Sequence, residues 1–153
     1  MTPTASFATV ANSIAALSIS GVHVFDIDNI PVDAKSYLPA FFPAPDGFIT
    51  GIQFTRLTPG TNGTAKMDLS YTLTYRFLHS IVGSGAGLIA TYADAIEKLS
   101  RIVIAILSND APAGVVNMEL ESISNIGPMT DPAGQIQYIG AEIALKCLEY
   151  ANG

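Results

Sequence analysis

Charge is scarce in this 153-residue chain. Asp, Glu, Lys and Arg together make up 13% of it, against about 25% in a typical soluble domain. Ser, Thr, Asn, Gly and Ala take the place of charged residues on the surface. Protein surfaces that end up inside contacts are depleted in Lys, Glu and Asp, so the low charge suggests that much of this surface is covered in use. Basic residues are the scarcest. Lys35, Arg56, Lys66, Arg76, Lys98, Arg101 and Lys146 are scattered singly, and the formal net charge is −6. Phosphate backbones are held mainly by clustered Lys and Arg, so tight nucleic-acid binding is argued against. An acidic surface bordering a nucleic-acid path without gripping it is compatible with the composition.

Cysteine is nearly absent. With Cys147 alone, no intrachain disulfide exists and the redox compartment stays open. No basic residue precedes Lys35, and the first apolar residues are interleaved with Ser, Thr and Asn, a pattern unlike a secretory signal. The longest strongly apolar run, Ile102 to Leu107, falls far short of the roughly 20 residues of a spanning helix. The expectation is a soluble protein acting where it is made, with no membrane partner. Asn62-Gly63-Thr64 matches a glycosylation sequon but reads as a turn in that setting. Apolar residues at 49% exclude general disorder, and the length suits one domain with a real core.

What is present has clear periodicity. Phe7, Val10, Ala11, Ile14 and Leu17 predict a helix from about Ser6 to Leu17, with Thr4 or Ser6 as cap and Gly21 as stop. Val22 to Ile27 is a short strand candidate. Asn29 to Asp46 holds Pro31, Pro39, Pro43 and Pro45, which argues against a helix or central strand there. Phe48 to Leu57 reads as a strand, Thr58 to Thr64 as a turn. From Lys66 to Phe77 apolar and polar residues alternate without interruption, the period of a half-buried strand. After the Gly83–Gly87 break, Leu88 to Leu107 predicts a helix with Leu88, Tyr92, Ile96, Leu99, Val103 and Ile106 on one face. Asp94–Lys98 and Glu97–Arg101 are favourable i,i+4 pairs on the other. Val115 to Ile123 and Gln135 to Tyr150 are strands, separated by a turn region around Asp131-Pro132. The order α-β-β-β-α-β-β predicts an α/β (α+β) fold, a single mixed or antiparallel sheet with two main helices packed on it.

Constellations for chemistry are thin. Metal sites need several converging ligands, and the two histidines, His23 and His79, have no short His or Cys spacing. Cys147 sits in an apolar strand, where an inert buried thiol is the ordinary state, although a spatial Cys–His pair is the alternative. Asp26 with Asp28, and Glu119 with Glu121, share strand faces and read as solvated pairs rather than acid–base groups. Gly83-x-Gly85 before a helix imitates a dinucleotide-binding turn, but Leu88 occupies its third glycine position and no phosphate-binding Lys-Ser or Lys-Thr follows. No catalytic, cofactor or metal residue is assigned, and no cofactor is expected.

Candidate interaction residues remain. Tyr37, Phe41 and Phe42 lie in the proline-rich segment. They either fold back onto their own sheet or dock into a neighbouring subunit as aromatic anchors. Thr58, Pro59, Gly60, Thr61, Asn62 and Gly63 form an uncharged hairpin tip, either a plain loop or an arm.

The alternating strand Asp68 to Arg76, the glycine break, the helix Tyr92 to Leu107, and Asp131-Pro-Ala-Gly-Gln135 leading into Tyr138 to Leu145 together resemble the tail terminator (tail-completion) proteins of long-tailed bacteriophages. The resemblance lies in the order of elements across nearly the whole chain. It implies a hexameric ring that stacks on the tail tube protein, ends tail polymerisation, and offers a surface to head-completion (connector) proteins. DNA would pass through the lumen without specific binding. The expected location is the tail-neck region of the virion, after assembly in the host cytoplasm. The alternatives are another neck protein (adaptor or stopper), the tube protein itself, or a small enzyme using Asp26, Asp28, His79 and Cys147.

Overall fold

The computed structural model of the chain describes residues 4–25, 28, 30, 34–45, 47–58, 66–82, 87–108, 115–124, 126–130 and 136–152. Helix α1 runs Thr4–Ala15 and helix α2 Leu88–Leu107. Seven strands form one mixed sheet: β1 His23–Val24, β2 Ala40–Pro43, β3 Ile49–Thr58, β4 Lys66–Ile81, β5 Val115–Ile123, β6 Gly127–Thr130 and β7 Gln137–Asn152. The fold is α+β, and its element order is the predicted one with two short strands added.

The sheet is built around β4 and β7, each 16 residues long and antiparallel over nearly their whole length. The far side of β4 is shared by β3, opposite residues 66–73, and β2, opposite residues 75–78. The far side of β7 is shared by β5 and β6 in the same manner. Among the described strands, only β1 and β2 pair in parallel.

The strict alternation of β4 produces the two faces. Leu69, Tyr71, Leu73, Tyr75 and Phe77 are buried on one of them with Ala141, Ile143, Leu145 and Cys147 of β7. Val10 and Ile14 of α1 and Ala95, Leu99, Ile102 and Ile106 of α2 close this core. Each large side chain fully buried there contributes roughly 1.5–3 kcal/mol.

The proline-rich segment contains β2, a strand with neighbours on both sides, contrary to expectation. It is possible because β2 is four residues long and its proline stands last, at Pro43. Phe41 and Phe42 are both fully buried in the protein's own fold, so neither is an exposed anchor for a neighbour. Strand alternation sends them to opposite faces. Phe41 stacks on Tyr75 in the main core, with ring centroids 5.0 Å apart. Phe42 joins Ala40, Leu78 and Tyr138 in a second, smaller core on the other face. Phe25, Ile30 and Leu38 pack against that second core, so this segment covers one end of the face that carries no helix.

Helix α2 has the predicted limits but a different orientation. Its buried residues are Thr91, Ala95, Leu99, Ile102 and Ile106, whereas Leu88 and Ile96, placed on the core face from periodicity, are exposed. Small residues at 91 and 95 let the helix lie close to the sheet. A register shift between Leu78 and Ser80 marks a bulge at His79. Bulges redirect side chains, and here His79 Nε2 meets Asp94 Oδ2 of α2 at 2.6 Å. Asp94 also accepts from Lys98 Nζ at 3.3 Å, and Arg101 binds Glu97, so both predicted i,i+4 pairs are present. Gly21, at φ +77°, turns the chain toward β1 with Lys98 packed where a Cβ would stand. Arg101 donates to the Ser20 carbonyl at 3.2 Å beside it.

Candidate functional site

One concave feature of the surface is apolar. A groove of about 410 Å³ lies between α2 and the β5 edge, lined by Ile96, Leu99, Ser100, Val103, Ile104 and Ile123. Its one hydroxyl is used internally, because Ser100 donates to the Ile96 carbonyl at 2.9 Å. The groove exists because α2 is apolar on two sides. One stripe enters the core; a second, Ile89, Ala93, Ile96, Ser100, Val103 and Leu107, follows alternating four- and three-residue steps along the outside. That spacing is the seam along which a helix packs another element.

The sheet has two long open margins flanking this region. Among the described residues, β3 pairs only with β4, and β5 only with β7. Unpaired strand edges are templates for further pairing. Exposed Ile52 and Phe54 stand on the β3 margin. The order β5-β7-β4-β3 alternates in direction at each step.

The face opposite the helices is polar where the second core does not reach. It carries Ser70, Thr72, Thr74 and Arg76 of β4, Glu142, Ala144 and Lys146 of β7, and Glu119 and Glu121 of β5. Thr72 donates to Glu121 Oε2 at 2.8 Å across β7, where Ala144 is small enough to allow it. Glu119 and Glu121 are thus a sheet-face pair, with Glu119 paired to Lys146.

Several titratable groups are committed to structure. Cys147 is buried, and burial together with the nearby Glu149 carboxylate pushes its thiol up to about 12, far from the thiolate that a nucleophile requires. Tyr71 donates to buried Glu149 at 3.0 Å, and burial raises the pKa of this phenol and of Tyr75. The hydrogen bond from His79 holds Asp94 below the ordinary carboxylate range. His79 Nδ1 is 3.0 Å from Ser80 Oγ, which gives a Ser–His–Asp chain. The hydroxyl belongs to the adjacent residue, and neither His79 nor Ser80 lines the groove beside α2. His23 Nδ1 contacts the Tyr37 carbonyl at 3.0 Å. Among the described residues, no three His, Cys, Asp or Glu side chains are placed to hold a metal ion, and no helix is long and apolar enough to cross a membrane.

Of the candidate interaction residues, Tyr37 is exposed at the end of a single 3-10 turn, Ala34–Tyr37, its ring edge-on to Phe25 at 5.4 Å. Thr58 closes β3 opposite Lys66. Pro59, Gly60, Thr61, Asn62 and Gly63 lie outside the described residues, as does Asp26; Asp28 is exposed. Periodicity missed the α2 groove because it does not say which of two apolar stripes faces the sheet. Exposed Ile52 and Phe54 fall within the predicted strand Phe48 to Leu57, where nothing in the sequence marks them as exposed. No protein-family model and no curated protein matches the chain.

Proposed function

We propose that the protein is a non-enzymatic assembly component that joins copies of itself head to tail into a closed ring, and that it acts as a tail terminator of a long-tailed bacteriophage. The observation that carries the ring is the pair of different, open sheet margins, β3 and β5, at opposite ends of one four-stranded order. Joining unlike patches is a heterologous contact, which closes into a ring when the rotation allows. Because the four strands alternate in direction, β3 of one copy meets β5 of the next antiparallel, so the sheet continues without a reversed joint.

The two faces then take different positions. Helices α1 and α2 occupy one face, so a sheet curling into a ring turns its free, polar face inward. Ser70, Thr72, Thr74 and Ala144 are small and leave a lumen open. Glu119, Glu121 and Glu142 stand beside Arg76 and Lys146, a mixed set without the clustered cations that grip a phosphate backbone. Such a lumen passes DNA without holding it. The tail tube protein is the partner on one rim and a head-completion protein the partner on the other.

Electron microscopy and sedimentation of the purified full chain, alone and mixed with tail tubes, test this reading. Closed rings with an open lumen, or rings confined to tube ends, support it. Extended tubes from the protein alone replace the terminator with a tube protein. A monomer at every concentration that leaves tube ends bare refutes ring assembly altogether.

A further inference from the structure

We infer that the groove between α2 and β5 receives Ile52 and Phe54 from β3 of the neighbouring copy, an inference that rests on the ring reading and names what fills its joint. Both halves lie in the same layer of the sheet. Phe54 pairs with Leu69, and Ile123 in the groove wall pairs with Ile143; Leu69 and Ile143 both point into the helix-covered core. Ile52 shares the Phe54 face by alternation. The knob stands at one margin of the sheet and the groove at the other, so one molecule cannot satisfy both for itself, whereas a head-to-tail neighbour can.

The areas are of the right size. Ile52 is 56% exposed, Phe54 51%, Ile96 55%, Ile104 64% and Ile123 38%. At roughly 200 Å² for a fully exposed large side chain, these five present on the order of 500 Å² of apolar surface. A standard interface buries about 1,600 Å² in total, a little over half of it apolar. The knob and groove therefore supply most of the apolar share, and the paired strand margins supply polar area.

The register also fits a curved sheet. Ile52 falls between the Thr50–Thr72 and Gln53–Ser70 pairs, level with Tyr71, whereas Ile123 is level with Ile143 and Tyr75. The offset from Tyr71 to Tyr75 is four residues, or ~13 Å. Eight barrel strands tilted by about 36° accumulate about one residue of stagger per strand. A four-strand repeat at similar tilt thus brings Ile52 of one copy level with Ile123 of the next. Ser100, its hydroxyl turned into the helix, leaves the groove wall without a free polar group to reject an apolar knob.

The test uses Phe54→Lys and Ile104→Glu, both at exposed positions, with circular dichroism to show that each variant folds. Each variant alone is expected to need more than about tenfold higher subunit concentration for ring formation than the unaltered chain, as for a central interface residue. An equal mixture of the two regains rings, because alternate joints are then either unaltered or a Lys–Glu pair. If the unaltered protein forms rings and both variants do so equally well, the knob-in-groove contact is overturned and the ring reading stands. If both variants lose rings and the mixture does not recover them, the two residues do not meet and the contact is likewise overturned. If the unaltered protein forms no ring even on tube ends, the ring reading fails, and the contact with it.

Discussion

Gly140 of β7 pairs with Leu78 of β4, and replacing it by alanine tests the central ladder directly. A Cβ on this residue would lie 2.2 Å from the Phe77 carbonyl oxygen, 3.0 Å from Leu78 Cδ2 and 3.2 Å from Met129 Sδ. A real Cβ does not come nearer than about 3.0 Å to another heavy atom, so strand β4 must retreat by about 0.8 Å. The obstacle is backbone, beside the bulge at His79, and no side-chain rotation relieves it. Moving a carbonyl that far stretches neighbouring hydrogen bonds beyond useful length. One buried bond left unmade costs about 1–3 kcal/mol, and overpacking costs about as much again. Gly140→Ala is therefore expected to lose about 3 kcal/mol, which for a chain of this length lowers Tm by roughly 6–12 °C. Gly127, the partner of Gly140 on β6, is the control, because nothing lies within 4 Å of its added Cβ. Gly127→Ala should leave Tm unchanged or slightly higher. Thermal unfolding followed by circular dichroism, at concentrations where the protein is monomeric, reads both. A Gly140→Ala Tm within about 2 °C of the unaltered protein would refute the β4–β7 register at this point.

Two further outcomes follow from the buried and bridged polar groups. Tyr71→Phe should cost about 1–3 kcal/mol in denaturant unfolding, because buried Glu149 loses a hydrogen bond, whereas Tyr75→Phe should cost nothing or stabilise, since the buried Tyr75 hydroxyl has no partner among the described residues. Equal losses in both would contradict the assigned bond. Asp94 titrates below its ordinary range, chiefly through His79 and then Lys98, so its contribution is fully present above the unfolded-state value near 4 and is lost as pH falls through the depressed folded value. The Tm gap between the unaltered protein and Asp94→Asn should accordingly close as pH falls below about 4; a gap that widens in acid would reverse the sign.

Strong periodicities survived translation into structure. The alternation from Lys66 to Phe77 became the central strand, with alternate residues buried from Leu69 to Phe77, and Leu88 to Leu107 became α2 with those limits. What could not be read depended on neighbours distant in sequence. β2 is a strand because β1 and β4 supply partners on its two sides, and no local propensity announces that in a segment rich in proline. β6 likewise forms only against β7. The misplaced face of α2 has a different cause. Leu88, Tyr92 and Ile96 match the helical period as well as Thr91, Ala95 and Ile102 do, and only contact with the sheet selects the second set. The ion pairs Asp94–Lys98 and Glu97–Arg101 were legible because they are local; the His79–Asp94 bridge was not, because a bulge creates it.

A helix with one apolar side completes a monomer; a helix with two calls for another surface. On α2 the second stripe opens beside the β5 margin, and at the other margin the ten-residue strand β3 presents Ile52 and Phe54. Monomeric sheet proteins blunt such margins with short strands, inward-pointing charges, proline or a covering helix. From Ile49 to Phe54 the β3 margin carries no charge and no proline. The same scarcity of charge that opens the sequence is therefore concentrated where the fold leaves backbone and apolar side chains unpartnered. An isolated molecule with these margins would risk uncontrolled strand pairing. A ring closed through these joints covers both long margins at once, which is the physical reason to prefer it over a monomeric enzyme or a simple two-fold dimer, since a two-fold pairs like margins and leaves the unlike one exposed.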